Sequence, residues 1–223
     1  MPIKQKIISI AGLSLIIAAS FVVYGMNATD TASVETSAKP QATAAMTGLE
    51  AQVKGPLQTD ELKHITLTDQ DGKTFSLDEL KGETLLVNFM FAACTSVCPV
   101  QTIGLRQAYN EMQLDPKKDR IKLLSISIAP LSDTPEQLKA YAKRFEIDKP
   151  SWRFAVTSQA HTDELSEQFG VGVAPLEGNQ LDHRSLLYLI NHEGTLIQQY
   201  RGSVVNVERL KKELRIVDQI GRS

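Results

Sequence analysis

Cysteine is scarce in this chain: two in 223 residues, both within the stretch Cys94-Thr95-Ser96-Val97-Cys98. Two thiols exclude a scaffold stapled by several disulfides and a structural zinc site built from four cysteines. Charge of one sign is also lacking, with 24 Lys and Arg against 26 Asp and Glu. No block of basic residues interleaved with aromatics occurs, so nucleic acid is excluded as a partner, and the near-neutral balance gives no case for an acidic membrane surface. The four histidines and five methionines are scattered. That excludes a metal-storage tract. Internal repeats are absent too.

What is present begins with a hydrophobic run. Lys4 and Lys6 precede nineteen uncharged residues, 7–25, close to the roughly 20 apolar residues that cross a bilayer as a helix. The reading is a membrane anchor over 1–25 whose lysine end stays in the cytoplasm, placing the rest outside. A cleaved signal is the rival, although Gly25-Met26-Asn27-Ala28 makes a poor cleavage site. No cysteine follows the run, which argues against lipoprotein processing. Residues 26–55, rich in Ala and Thr without apolar period, read as a flexible linker. Residues 56–223 read as one domain, long enough to bury a sizeable core.

Alternation on both sides of Asp69-Gln70-Asp71-Gly72 predicts a hairpin. The continuous apolar runs 83–91 and 121–129 predict strands buried on both faces. Pro99 is suited to start a helix reaching Met112, with Ile103, Ala108 and Met112 turned to one side. Ser132-Asp133-Thr134-Pro135-Glu136 is a helix start. Further elements are a strand over 152–156, a helix from Ser158 to Phe169, a hairpin of 185–190 with 195–202, and a closing helix over 205–217. Strands that alternate with helices and end in a hairpin call for an α/β fold, a mixed central sheet flanked by helices.

Cys94 then lies in the loop at the carboxyl edge of the sheet, where α/β proteins place their sites. Cys98, next to Pro99, is expected at the helix N-cap, where free N–H groups stabilise a thiolate, so Cys98 is expected to be the more acidic thiol. Three intervening residues allow either a disulfide or a metal clamp. Two thiolates and one imidazole would make a trigonal site suited to Cu(I); zinc ordinarily takes four ligands. His64, at the opening of the first strand, His161, on a surface helix, and His192, in a hairpin turn, read as solvated. His183 leads directly into a buried strand, and the pattern leaves it open between a packed loop histidine and a ligand.

Three segments, LVNFMFAACTSVCPVQT, ISIAPLSDTPEQLKAYAKRF and LDHRSLLYLINHEGTLIQQYRG, resemble in order and spacing the Sco/SenC family of thioredoxin-like, membrane-anchored proteins. The resemblance covers about residues 60–215 and extends to the anchor. It implies a thioredoxin-like fold and one copper ion per chain held by Cys94, Cys98 and His183. It also implies an inner-membrane, single-pass protein with its domain in the periplasm. The partner implied is the cytochrome c oxidase subunit carrying CuA, or another exported thiol protein. Thr95 and Ser96 depart from the family's usual C-P-x-x-C-P loop, and Ala129-Pro130 replaces an acidic-Pro step; neither removes a ligand. The alternative activity is thiol–disulfide reduction with Cys94 and Cys98 as the redox pair. A peroxidase would need an activating arrangement that is not evident around Cys94. A purely structural disulfide would close too short a loop to constrain the unfolded chain.

Overall fold

An antiparallel hairpin, β1 (Thr66–Asp69) and β2 (Thr74–Ser76), turns where Asp69 Oδ1 accepts the backbone N–H groups of Asp71 and Lys73. These strands belong to the computed structural model of the protein, which describes residues 62–115, 119–177 and 180–221. The expected anchor and linker over 1–55 lie outside the described residues. A short 3-10 helix, Leu77–Leu80, follows β2. Next comes β3 (Thr84–Met90), buried at every position. After it run α1 (Val97–Met112), β4 (Ile121–Ser127), α2 (Pro135–Arg144), β5 (Trp152–Val156) and α3 (Gln159–Gln168). A two-residue ladder of β6 (Ala174–Pro175) and β7 (Leu181–Asp182) forms a separate small hairpin. The chain ends with β8 (Leu186–Ile190), β9 (Leu196–Arg201) and α4 (Val207–Ile220).

The main sheet has seven strands in the order β2-β1-β5-β4-β3-β8-β9. Its centre, β3-β4-β5, is parallel, and both flanks are antiparallel. This is the mixed sheet that alternating elements followed by a late hairpin demand. The parallel centre explains why β3 and β4 read as unbroken apolar runs: helices cover both faces. Among the described residues, no helix is long and apolar enough to cross a membrane.

Two local features position α1. Its buried face is Cys98, Gln101, Thr102, Leu105, Ala108, Tyr109 and Met112, so Ile103, expected inside, is instead half exposed. Two polar residues hold the inward places because each has a buried partner. Gln101 accepts from Asn88 of β3 at 3.1 Å, and Thr102 hydrogen-bonds the Tyr141 hydroxyl at 2.8 Å. On the other side, α1 packs on α4, and at Gly104 it meets the segment leading into α4, where a Cβ would lie 2.7 Å from the Cβ of Val205. Only glycine leaves room for that approach without displacing Val205.

Candidate metal centre

Cys94 and Cys98 sit at the carboxyl edge of β3, in the loop and first turn that join it to α1. The helix begins earlier than Pro99 suggests. Ser96 is its N-cap, and Cys98 lies within the first turn, because proline is tolerated throughout a turn whose N–H groups have no helical acceptor. The Ser96 hydroxyl makes no cap hydrogen bond. The sulfur of Cys94 takes that role, accepting the Cys98 N–H at 3.4 Å.

This reverses the expected acidity of the pair. The Cys98 thiol donates to the Cys94 sulfur, and this contact, against the opposing cost of burial, holds Cys94 far below the usual thiol range. His183 and the backbone N–H groups of Ser96 and Cys98 lower it further. Cys98, donating to Cys94, buried and beside that negative charge, is pushed up. Cys94 is thus the lowered thiol of the pair, through the hydrogen bond from Cys98 more than through the N–H groups at the helix start.

His183 is brought to the pair by the segment between β7 and β8, because β8 pairs antiparallel with β3 and so begins at the edge where β3 ends. Its Nε2 stands 3.6 Å from Cys98 Sγ. Its Nδ1 lies 3.3 Å from the Arg184 carbonyl oxygen, which can only accept, so Nδ1 carries a proton and orients the ring with Nε2 facing the sulfurs. The ring is 8% exposed and meets the edge of Phe91 at a centroid distance of 6.2 Å. Cys94 and Cys98 are each 3% exposed. Of the alternatives open for His183, packing at the sheet edge and approach to the thiols are thus both realised.

An ion bound in a trigonal plane, with metal–sulfur and metal–nitrogen distances of about 2.3 and 2.0 Å, sets sulfur and nitrogen about 3.7 Å apart. The spacing of Cys98 Sγ and His183 Nε2 matches. Among the described residues, no three cysteine, histidine or carboxylate side chains are already closed around one point, so capture of an ion requires small side-chain rotations. Two soft sulfurs and one imidazole fit Cu(I) better than a hard cation. The other histidines stand apart from this centre. His64 and His161 face each other elsewhere, and His192 packs against Gly221.

Asp133 is a residue that the helix-start motif hid. Thr134, directly before Pro135, is the N-cap of α2, closed by a capping box with Gln137. Asp133 turns inward, 4% exposed. Its Oδ2 accepts from the Ala92 N–H at 3.0 Å and the Ser127 hydroxyl at 2.6 Å, tying the loop that carries Cys94 to the end of β4. A small hairpin braces that loop from the other side, where Gln180 Nε2 donates to the Ala93 carbonyl at 3.2 Å. The Asp133→Ala variant should unfold about 1–3 kcal/mol more easily, since two buried donors lose their acceptor; urea unfolding measures this. Burial raises the Asp133 pKa, so its protonated form favours the fold. That contribution is complete below the unfolded pKa and lost as pH rises through the folded one. Asp133→Asn should remove that slope while costing less than the alanine.

The SCO1/SenC family model matches residues 53–217. The SCO1 protein homolog of Bacillus subtilis (strain 168) is 32% identical over 154 residues, covering 68% of this chain and 78% of that protein. Among solved structures, BsSco, described as a member of the Sco family of cytochrome c oxidase assembly proteins with a disulfide switch, is 28% identical with a TM-score of 0.60. It covers 70% of this chain and 91% of its own. Bradyrhizobium japonicum ScoI, solved with copper bound, shares the fold at 24% identity and a TM-score of 0.60, over 73% of this chain and 98% of its own. With the family model spanning the whole described sheet and the Cys94, Cys98 and His183 centre, this chain belongs to the SCO1/SenC family.

Proposed function

We propose that this protein is a copper metallochaperone, holding one copper ion through Cys94, Cys98 and His183 and releasing it to a partner during cytochrome c oxidase assembly. The observation that carries this reading is the 3.6 Å approach of His183 Nε2 to Cys98 Sγ, beside the lowered Cys94 thiol. Copper in a relative of the same fold and the assembly role of BsSco support it. Here copper is cargo. Three ligands leave a coordination position open, so a partner thiolate can enter before Cys94 or Cys98 leaves, and transfer proceeds by ligand exchange. The partner is taken to be the oxidase subunit carrying CuA. Residues 1–25 serve as the anchor that keeps the domain, 56–223, at the periplasmic face of the inner membrane, with 26–55 as the tether.

A second reading, thiol–disulfide reduction of the partner's cysteines, is favoured by the contrast between the two thiols. A Cys94 thiolate attacks a disulfide sulfur and Cys98 resolves the mixed disulfide; the pair is oxidised as the partner is reduced. Burial of both sulfurs requires the loop to open first.

The reduced, untagged protein loaded anaerobically with Cu(I) and then dialysed against a competing chelator should retain one copper per chain. His183→Ala should lose it while still forming the Cys94–Cys98 disulfide on oxidation. Unchanged stoichiometry and affinity in that variant would overturn the three-ligand site. Failure of the reduced protein to reduce a two-cysteine CuA-type disulfide peptide would remove the second reading.

A further inference from the structure

Two histidines far apart in sequence meet on the surface at the same edge of the sheet as the cysteine loop. The antiparallel pairing of β1 with β5, which sets Thr68 opposite Val156, lays the segment before β1 over the β5–α3 connection. His64 and His161 then face each other edge to face, with ring centroids 5.8 Å apart and planes at 79°. Glu164, one turn beyond His161 on α3, places Oε2 3.1 Å from His64 Nε2.

The proton on one ring is fixed by its neighbours. Thr157 Oγ1 lies 2.6 Å from the Thr66 carbonyl oxygen, and a carbonyl can only accept, so the single hydroxyl proton is spent there. Toward His161 Nδ1, 3.3 Å away, Thr157 can therefore only accept. His161 carries its proton on Nδ1, which frees Nε2 as a lone-pair donor. This is the arrangement by which a hydrogen-bonded partner orients a metal-binding histidine.

The spacings match those around a metal. Two imidazoles bound to one ion at about 2.0 Å have centroids about 5–6 Å apart, and an imidazole nitrogen and a carboxylate oxygen on that ion lie about 3.1–3.4 Å apart. We infer that His64, His161 and Glu164 form a second metal site, for a divalent first-row ion such as Cu(II) or Zn(II). Two imidazoles and a carboxylate suit these ions and not Cu(I), which the thiolates prefer. As they stand, no three such side chains among the described residues are placed to hold a metal ion. The His64 side chain is 52% exposed and Glu164 36%, and a rotation that releases the His64 Nε2 proton to solvent and replaces the hydrogen bond by two bonds to the ion completes the site. The loops carrying the two centres leave β3 and β5 on either side of β4. Adjacent strands lie about 4.8 Å apart, so the strand ends are about 10 Å from one another.

The test uses the untagged full chain with Cys94→Ser, Cys98→Ser and His183→Ala, which removes the thiolate centre. Zn(II) titrated by calorimetry should bind at one equivalent. Cu(II) at one equivalent should give an electron paramagnetic resonance spectrum with hyperfine splitting from two imidazole nitrogens. Adding His64→Ala or His161→Ala should weaken both ions by at least about tenfold and reduce the splitting to one nitrogen. Glu164→Gln should weaken binding with both nitrogens kept, and His192→Ala should change nothing. Absence of saturable binding, or affinity and splitting unchanged by His64→Ala and His161→Ala, would overturn the site.

Discussion

Cys94→Ser should abolish the thiolate ultraviolet absorbance of the reduced protein at neutral pH, while Cys98→Ser should retain it. The asymmetry follows from what each sulfur loses. Removing Cys94 takes away the hydrogen bond and the charge that raise the Cys98 pKa, yet burial, which also raises it, remains. Cys98 therefore stays a thiol. Removing Cys98 costs Cys94 its main stabilising donor, but the contacts with His183 and the Ser96 and residue-98 N–H groups persist, and the new hydroxyl can donate in place of the thiol. Rates of alkylation should follow the same order, because the thiolate is the nucleophile. The sign carries into stability. Cys94 is held below its ordinary value of 9.0, so its ionisation favours the folded, reduced chain. That stabilisation is complete above the ordinary value and is lost as pH falls toward the folded one. Reduced wild-type protein should therefore lose stability on acidification more steeply than Cys94→Ser. Equal thiolate absorbance in the two single variants would show that the pair is not polarised as described.

The same geometry separates what sequence could show from what it could not. Strand β5 was legible to the residue, since Trp-Arg-Phe-Ala-Val is short, β-prone and bounded by loop residues, and β3 and β4 were legible from their unbroken apolar runs. The approach of His183 to the cysteine pair was legible from residue types, with His183 separated from the other histidines by the buried strand it precedes. The acidity of the thiols was not, because it depends on which sulfur accepts the other's hydrogen bond at the helix start, a matter of one turn. Ile103 misled for a related reason. Apolarity suggested an inward position, but Gln101 and Thr102 hold the inward register through partners on β3 and α2, supplied by distant parts of the chain. Asp133 was read as part of a cap motif and proved to be the tether of the cysteine loop. The meeting of His64 with His161 rests wholly on strand pairing, and no local pattern announces it.

Trp152→Ala should produce the largest loss of stability among core substitutions considered for this sheet, about 3–5 kcal/mol, read as a lowered midpoint of urea unfolding followed by circular dichroism. Trp152 is the chain's single tryptophan and is 2% exposed. It stacks on Phe154 at 5.4 Å and on Tyr109 of α1 at 6.2 Å, so its removal opens a cavity between sheet and helix. Its indole N–H also donates to Ser125 Oγ at 3.0 Å. Ser125 donates in turn to Asn88 Oδ1 at 2.7 Å, Asn88 to Gln101 at 3.1 Å, and Gln101 to the Gly202 carbonyl at 3.3 Å. This buried chain crosses three adjacent strands and enters α1 one turn after Cys98. Trp152→Phe keeps most of the volume and removes the donor, so it should cost less than the alanine while loosening the chain at its outer end. Copper retention in the two variants then separates packing from hydrogen bonding. If the polar chain fixes the start of α1, Trp152→Phe should weaken retention of Cu(I) out of proportion to its modest effect on unfolding. Retention that falls only in step with stability would show that Trp152 acts on the metal centre through packing alone.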